Sequence, residues 1–203
     1  MPHYPAFFER LPTLTLRDPL SEFLAAAEGG LIEYSYLDAV KLAGHSCPTV
    51  AGAWLMAVKS LTYLYGADRP ERGAIRVRLP GAADEGVTGV IANVLTLITG
   101  AAAEGGFKGI AGRFARCDLL SFGEEVEGDV AFERLDTGQQ VVAIYDASIV
   151  PPDPEAQQIA PAVISGRADT AMTQTFGRLW QQRVERILTE FADDPRLIQL
   201  QPL

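Results

Sequence analysis

The residues best suited to chemistry lie in one short segment, Gly44-His45-Ser46-Cys47-Pro48-Thr49. It contains one of the two histidines and one of the two cysteines of the chain. A histidine and a cysteine two positions apart offer a nitrogen and a sulfur donor, which suit zinc and similar ions. The same pair can instead supply a thiol nucleophile with a basic partner. The segment therefore predicts either a metal site or an activated thiol.

An apolar helix is predicted directly after this segment, so Cys47 lies at its N-cap. Pro48 suits the first helical position, where its missing N–H removes no hydrogen bond. Apolar side chains then recur at helical spacing at Val50, Ala53, Trp54, Ala57, Leu61, Leu64 and Tyr65. The free N–H groups and partial positive charge at this helix end favour a thiolate. Small residues at 51–53 predict a close approach by another backbone.

The remaining pattern predicts an α+β fold. Further helices are predicted over 22–28, 36–43 and 87–99, the second of them between an N-cap at Ser35 and a stop at Gly44. Strands are predicted over 74–79, 111–120, 129–135 and 140–145, and the last two form a hairpin. This helix–strand–helix–three-strand order, with short turns between the later strands, favours a mixed, mostly antiparallel sheet over a doubly wound one.

The chain divides into two predicted parts. Residues 1–150 form the α+β domain with a helical lead-in, and residues 151–203 form a linker and an added helix. The linker is inferred from Pro151, Pro152, Pro154 and Pro161. The helix is inferred from an apolar stripe formed by Phe176, Trp180, Val184, Ile187, Leu188 and Phe191. This stripe must cover either the same domain or a second copy of the chain.

Composition excludes some classes of protein and favours others. The 203 residues carry a formal net charge of −9, which argues against nucleic-acid binding because phosphate contacts need a basic surface. The apolar segment 50–65 is too short to span a membrane and contains Lys59. Two cysteines and an N-terminus without a signal-peptide pattern predict a reducing, cytoplasmic location.

Two acidic residues and one cysteine are weaker candidates. Glu85, with Asp84 behind it, is the leading third metal ligand, because the starts of two helices can lie close together. A carboxylate there is equally explained by the helix dipole. Cys117 lies in a predicted strand and is interpreted as a structural or incidental thiol.

Basic residues cluster in two segments, as Arg72, Arg76 and Arg78 and as Lys108, Arg113 and Arg116. Solvated strand faces explain both clusters, and a local anion site is the alternative. In the second interpretation, Lys108 and Arg113 are the candidates to hold a small anionic ligand.

The segment Gly44-His45-Ser46-Cys47-Pro48 resembles the Gly-His-x-Cys-Pro motif of the FmdE family, which takes its name from a component of formylmethanofuran dehydrogenase. The similarity extends over roughly residues 30–147 and includes the helix end Asn93–Gly100 and the segment Lys108–Leu120. The resemblance implies an α+β domain, frequent homodimers and a divalent, zinc-like metal bound by His45 and Cys47.

The chain departs from that family at several positions. Ala43 and Val90 stand where many members have a further histidine and a cysteine, and Thr49 replaces a glycine. No cysteine follows Cys117, so the zinc-ribbon tail of some members is absent. The resemblance therefore implies a divergent branch whose metal is completed by oxygen ligands or water.

Three functions follow from these residues. The favoured one is a small metal-binding protein, in which His45, Cys47 and Glu85 are the ligands and catalysis on an unknown substrate is left open. The second is a metal-free thiol enzyme that uses Cys47. The third is a non-catalytic accessory subunit of a redox complex.

Overall fold

A five-stranded mixed sheet and the helices packed around it form the core of the structure, a computed structural model that describes residues 3–203. The helices are α1 (Pro19–Phe23), α2 (Tyr36–Ala43), α3 (Pro48–Tyr65), α4 (Thr88–Thr99), α5 (Pro154–Ile164) and α6 (Thr170–Leu188). The strands are β1 (Leu14–Arg17), β2 (Leu31–Tyr34), β3 (Ile75–Arg78), β4 (Leu120–Ser121), β5 (Val130–Arg134), β6 (Gln140–Tyr145) and β7 (Ile198–Pro202). The predicted α+β class is confirmed.

The sheet has the strand order β4-β3-β5-β6-β7. Only β3 and β4 run parallel, and the other neighbours are antiparallel, including the predicted β5–β6 hairpin. Strands β1 and β2 form a separate antiparallel pair. The mostly antiparallel arrangement agrees with the short turns predicted from the sequence.

Helix α3 is the central helix of the core. Trp54, Met56 and Leu61 on this helix are almost completely buried. It contacts β5, β6 and β7 of the sheet and also α2, α4 and α6. A helix with neighbours on several sides must be apolar on several faces, which explains why its sequence resembles a membrane span.

Helix α2 leads directly into the candidate segment, and its bounds agree with the prediction. The Asp38 carboxylate accepts hydrogen bonds from both the backbone N–H and the hydroxyl of Ser35 at 2.8 Å. Gly44 ends the helix with a φ of 75°, a left-handed conformation that glycine adopts without strain. The short link between α2 and α3 therefore holds His45, Ser46 and Cys47 in a tight turn.

Two of the predicted elements are wrong. The helix expected over 22–28 is instead α1, which begins at Pro19, and a short 3-10 turn at Glu28–Gly30. The strand expected over 111–120 is a loop until β4 begins. Ala111, Phe114 and Asp118 have positive φ angles, which interrupt any extended ladder.

The region after residue 150 also differs from the predicted linker. Its prolines lead into α5, where Pro154 occupies the first helical position and Pro161 lies inside the helix. Helix α6 buries Val184, Ile187 and Leu188 and packs against α3 of the same chain. Strand β7, which was not predicted, pairs with β6. This segment thus joins the core that the preceding residues form.

Candidate functional site at the start of helix α3

Cys47 lies at the N-cap of α3, as the sequence predicted. Its backbone is extended, and its Sγ accepts a hydrogen bond from the Val50 backbone N–H at 3.4 Å. The side chain is 9% exposed and therefore nearly buried. A helix N-terminus with an N–H aimed at sulfur stabilises negative charge on that sulfur.

His45 is exposed and has one ring nitrogen engaged. Its Nδ1 lies 2.9 Å from the Ala43 carbonyl oxygen. When Nδ1 donates to that carbonyl, Nε2 keeps its lone pair and can accept a proton or bind a metal. A backbone carbonyl on the second nitrogen is the usual support of a metal-binding imidazole.

Ser46 ties this turn to two other elements. The Tyr36 hydroxyl lies 2.9 Å from the Ser46 hydroxyl. The Ser46 carbonyl accepts hydrogen bonds from Trp180 Nε1 and Gln181 Nε2, each at 3.1 Å. Helix α6 therefore fixes the turn between His45 and Cys47, although 134 positions separate Ser46 from Trp180.

Tyr145 at the end of β6 packs against the first turns of α3. Its hydroxyl donates a hydrogen bond to the Pro48 carbonyl at 3.0 Å. A Cβ at Gly52 would overlap the Tyr145 ring. The close approach predicted at the small residues is thus real, but an aromatic ring approaches rather than a backbone.

Two tyrosines near Cys47, the buried Tyr36 and the partly buried Tyr145, have hydrogen-bonded hydroxyl groups. Burial raises the pKa of Tyr36 well above that of an exposed phenol, and proximity to Cys47 raises it further. Burial also raises the pKa of Tyr145, although the Arg183 cation opposes this shift. Both phenols therefore stay protonated at neutral pH.

An open cavity of about 470 Å³ contains the predicted pair. Its lining consists of His45, Cys47, Pro48, Thr49, Val87, Val90, Ala147, Trp180 and Arg183. None of these residues is acidic. Arg183 donates hydrogen bonds to the carbonyls of Val150 at 2.7 Å and Ala147 at 3.0 Å. Among residues 3–203 it has no carboxylate partner.

Glu85 lies apart from the predicted pair. Its Oε2 accepts a hydrogen bond from the Ala82 backbone N–H at 3.1 Å, and Glu85 does not line the cavity. Glu85 thus bonds within the turn that precedes α4, and its predicted role as a metal ligand stays a prediction. Within the described part of the chain, no group of three His, Cys, Asp or Glu side chains could hold a metal ion. In the lining of the cavity, His45 and Cys47 are the two potential metal donors.

The basic residues divide among other sites. Arg76 pairs with Glu133 at 2.8 Å on the sheet, and Arg78 donates to Gln140 at 2.6 Å. Arg113 lines a different cavity, and Lys108 is exposed and does not line the one at Cys47. The structure thus brings neither Lys108 nor Arg113 to the predicted metal residues.

Sequence reasoning missed Arg183 and Ala147 as members of this site. The helical pattern places Arg183 only on the polar face of the C-terminal helix, and Trp180 only in its apolar stripe. The sequence did point to Val90, because the resemblance places a cysteine of many family members at its position. Val90 lines the cavity.

A scan against protein-family models and a search of curated proteins find no match for this chain. Within residues 3–203, no helix combines the length and the apolar composition needed to cross a membrane.

Proposed function

We propose that the cavity at the start of α3 binds a small anionic molecule together with a divalent transition metal, most simply zinc, held by His45 and Cys47. The observation that carries this proposal is the shared lining of one cavity by an imidazole, a thiol and the guanidinium of Arg183, with no acidic residue among the described lining residues.

The donors fit part of a zinc coordination set. Nε2 of His45 is free of the Ala43 contact, and Cys47 lines the same cavity as His45. Zinc commonly takes four ligands, and sites that act on substrates keep one position open. A metal held here would supply Lewis-acid polarisation of a bound oxygen. Both cysteines are unpaired, which suits the reducing cytoplasm expected from the sequence.

Charge balance favours an anion as the remaining ligand. A divalent ion brings two positive charges, Arg183 adds one, and a Cys47 thiolate removes only one. A carboxylate or a similar oxyanion can contact both the metal and Arg183. The cavity volume of about 470 Å³ lies in the usual range for small-molecule sites.

The position of Val90 supports a distant relation to the FmdE family. The resemblance places a cysteine of many members at the start of the second apolar helix, at the position of Val90, and Val90 lines the same cavity as His45 and Cys47. We accordingly propose a divergent FmdE-like branch in which an exogenous ligand takes the place of that cysteine. The homodimer implied by the same resemblance stays a prediction, which sedimentation analysis tests.

Zinc titration of the metal-stripped protein tests the proposal. We expect one ion per chain, and we expect Cys47→Ser and His45→Gln to weaken binding about 10-fold or more, since each removes one of two protein donors. Cys117→Ser is the matched control and should bind as the wild type does. Val90→Cys should bind zinc more tightly than the wild type because it adds a third donor. Absence of stoichiometric binding in the wild type would overturn the metal assignment.

A metal-free thiol enzyme is the second candidate, favoured by the Val50 N–H that donates to Cys47 Sγ. His45 directs Nδ1 to Ala43 rather than to the sulfur, which leaves the thiol without a visible base. Alkylation of the metal-stripped protein by iodoacetamide distinguishes the candidates. Rapid alkylation of Cys47 that zinc does not slow would favour the thiol enzyme, whereas protection by zinc would favour the metal site.

A further inference from the structure

A second cavity, of about 350 Å³, lies between the start of α1 and the loop that precedes β4. Three arginines from the two basic clusters, Arg72, Arg113 and Arg116, line it together. The sequence separates Arg72 from the other two by some forty residues, so only the fold makes them neighbours. This cavity is distinct in its lining from the one at Cys47.

Two of these arginines are anchored by a single carboxylate. Asp18, which is 3% exposed, accepts hydrogen bonds from Arg72 Nη1 at 2.9 Å and Arg116 Nη2 at 2.6 Å. Arg72 also donates to the Leu97 carbonyl, and Arg116 to the Arg72 carbonyl. An arginine has five N–H groups, so each keeps donors that these contacts do not use.

The positive charge around the cavity exceeds the negative charge. Three arginines (Arg72, Arg113 and Arg116) and one carboxylate (Glu71) line it. Glu71 is paired with Arg17 at 3.0 Å, while the buried Asp18 pairs with both Arg72 and Arg116. Arg113 is exposed and has no carboxylate partner among residues 3–203; its guanidinium lies 4.5 Å from the ring centre of Phe114. Burial lowers the pKa of Arg116, and the Arg72 cation lowers it further, while Asp18 opposes the shift.

The loop adds backbone donors to the same cavity. Phe114 and Ala115 line it, and among the described residues neither backbone N–H donates to a protein acceptor. Phe114 has a φ of 64°, a left-handed conformation that bulky residues rarely adopt. Successive N–H groups next to a left-handed residue form concavities that bind anions. Reciprocal hydrogen bonds between Ile110 and Arg113 hold the loop closed.

We propose that this cavity binds the phosphate group of a small molecule through Arg113, the free N–H groups of Arg72 and Arg116, and the backbone N–H groups of Phe114 and Ala115. A tetrahedral phosphate accepts hydrogen bonds on several oxygens at once, which matches donors that come from two segments, Arg72 on one side and the loop 113–116 on the other. A carboxylate has two oxygens and satisfies fewer of these donors.

Titration of the full chain with inorganic phosphate and with pyrophosphate, followed by calorimetry and by backbone amide NMR, tests this site. We expect saturable binding with a dissociation constant at or below ~1 mM, and shifts of the Phe114 and Ala115 amide signals. Arg113→Gln should weaken binding about 10-fold or more. Arg178→Gln removes the same charge from the exposed face of α6 and should leave affinity unchanged.

Other outcomes would overturn the assignment. These are absence of saturable binding, equal loss in Arg113→Gln and Arg178→Gln, or amide shifts confined to other segments. Acetate and citrate titrations form a separate arm, and tighter binding of these carboxylates would overturn the choice of phosphate. Zinc is omitted from the titrations, so the result is independent of the metal site at Cys47.

Discussion

Arginine lines the cavity at Cys47 and the cavity beside α1, but its charge is compensated in two different ways. Arg72 and Arg116 converge on the buried carboxylate of Asp18. Arg183, beside His45 and Cys47, donates only to backbone carbonyls. A carbonyl fixes a guanidinium in place without removing its charge. The comparison therefore separates two guanidinium groups held by ion pairs that link elements of the fold from one held by backbone carbonyls alone within residues 3–203. In our proposals both regions bind anions, but Arg183 does so without the carboxylate partner that Arg72 and Arg116 share.

The first cluster also links distant parts of the chain. Asp18 caps α1 by accepting from the Leu20 and Ser21 N–H groups, while its arginine partners come from segments on either side of α4. Gly73 is required here, because a Cβ at that position would overlap the Arg116 guanidinium. No comparable ion pair holds Arg183 within residues 3–203. Helix α6 is held by packing against α3, by its bonds to Ser46, by the bonds of Arg183 to two carbonyls and by an exposed ion pair between Arg10 and Glu185.

Removal of Asp18 should give the largest loss of stability. Asp18→Asn leaves Arg116 buried without a counter-charge, and an unpaired buried charge costs about 3–5 kcal/mol of unfolding free energy. Urea denaturation measures the loss. Asp193→Asn is the control, because Asp193 pairs with Lys59 while fully exposed and should cost less than about 1 kcal/mol. Equal losses in the two variants would contradict the distinction between the Asp18 cluster and an ordinary surface pair.

The glycine against Tyr145 should give a smaller effect. Gly52→Ala forces a methyl group into the Tyr145 ring, and such overpacking costs about 1–3 kcal/mol. Gly177→Ala on α6 is the matched control, because open space surrounds that position. There alanine should stabilise the helix by up to about 1 kcal/mol through its higher helix propensity. Thermal unfolding of the two variants measures both effects. A Gly52→Ala variant at least as stable as the wild type would contradict the close packing of Gly52 against Tyr145.

Arg183 should affect ligand binding more than stability. Arg183→Gln removes two hydrogen bonds to backbone carbonyls, at about 1 kcal/mol each, together with the charge that we assign to the anion. Arg183→Lys keeps the positive charge, so it separates the contribution of the charge from that of the two hydrogen bonds. Binding of acetate to the zinc-loaded protein, measured by calorimetry, should weaken in the glutamine variant and persist in the lysine variant. Unchanged affinity in both would remove Arg183 from the ligand site.

The pH dependence of stability should distinguish the Asp18 cluster from the site at Arg183. The effect of pH on stability should be smallest near neutral pH. Burial raises the pKa of Asp18, but its bonds to Arg72 and Ser21 and the charges of Arg116 and Arg72 outweigh burial and lower it. A carboxyl with a lowered pKa stabilises the fold above its unfolded value of about 3.9, and that stabilisation is lost as the pH falls through the folded value. Acid unfolding below pH ~4 should therefore be less steep in Asp18→Asn than in the wild type. An equal slope would show that Asp18 is not the group responsible.

The sequence by itself determined the elements around the candidate residues. Ser35 and Gly44 bounded α2, and Cys47 and Pro48 began α3. Alternation marked β3, and a turn signal marked the β5–β6 hairpin, because caps, prolines, turns and periodicity act within a few residues. The same local rules misjudged 111–120, where left-handed residues interrupt an apparently extended segment. They also missed β1, β2 and β7, since pairing with a distant strand decides whether such short segments become strands.

Only the tertiary structure decided what surrounds the candidate residues. The sequence predicted His45 and Cys47 as a pair, but the placement of Arg183, Trp180 and Ala147 beside them depends on how the C-terminal helix packs against α3. It also brought Arg72 to Arg113 and Arg116, and left Glu85 at its own turn. Local propensity fixes where a helix begins, whereas the neighbours of a side chain depend on burial and pairing over the whole chain.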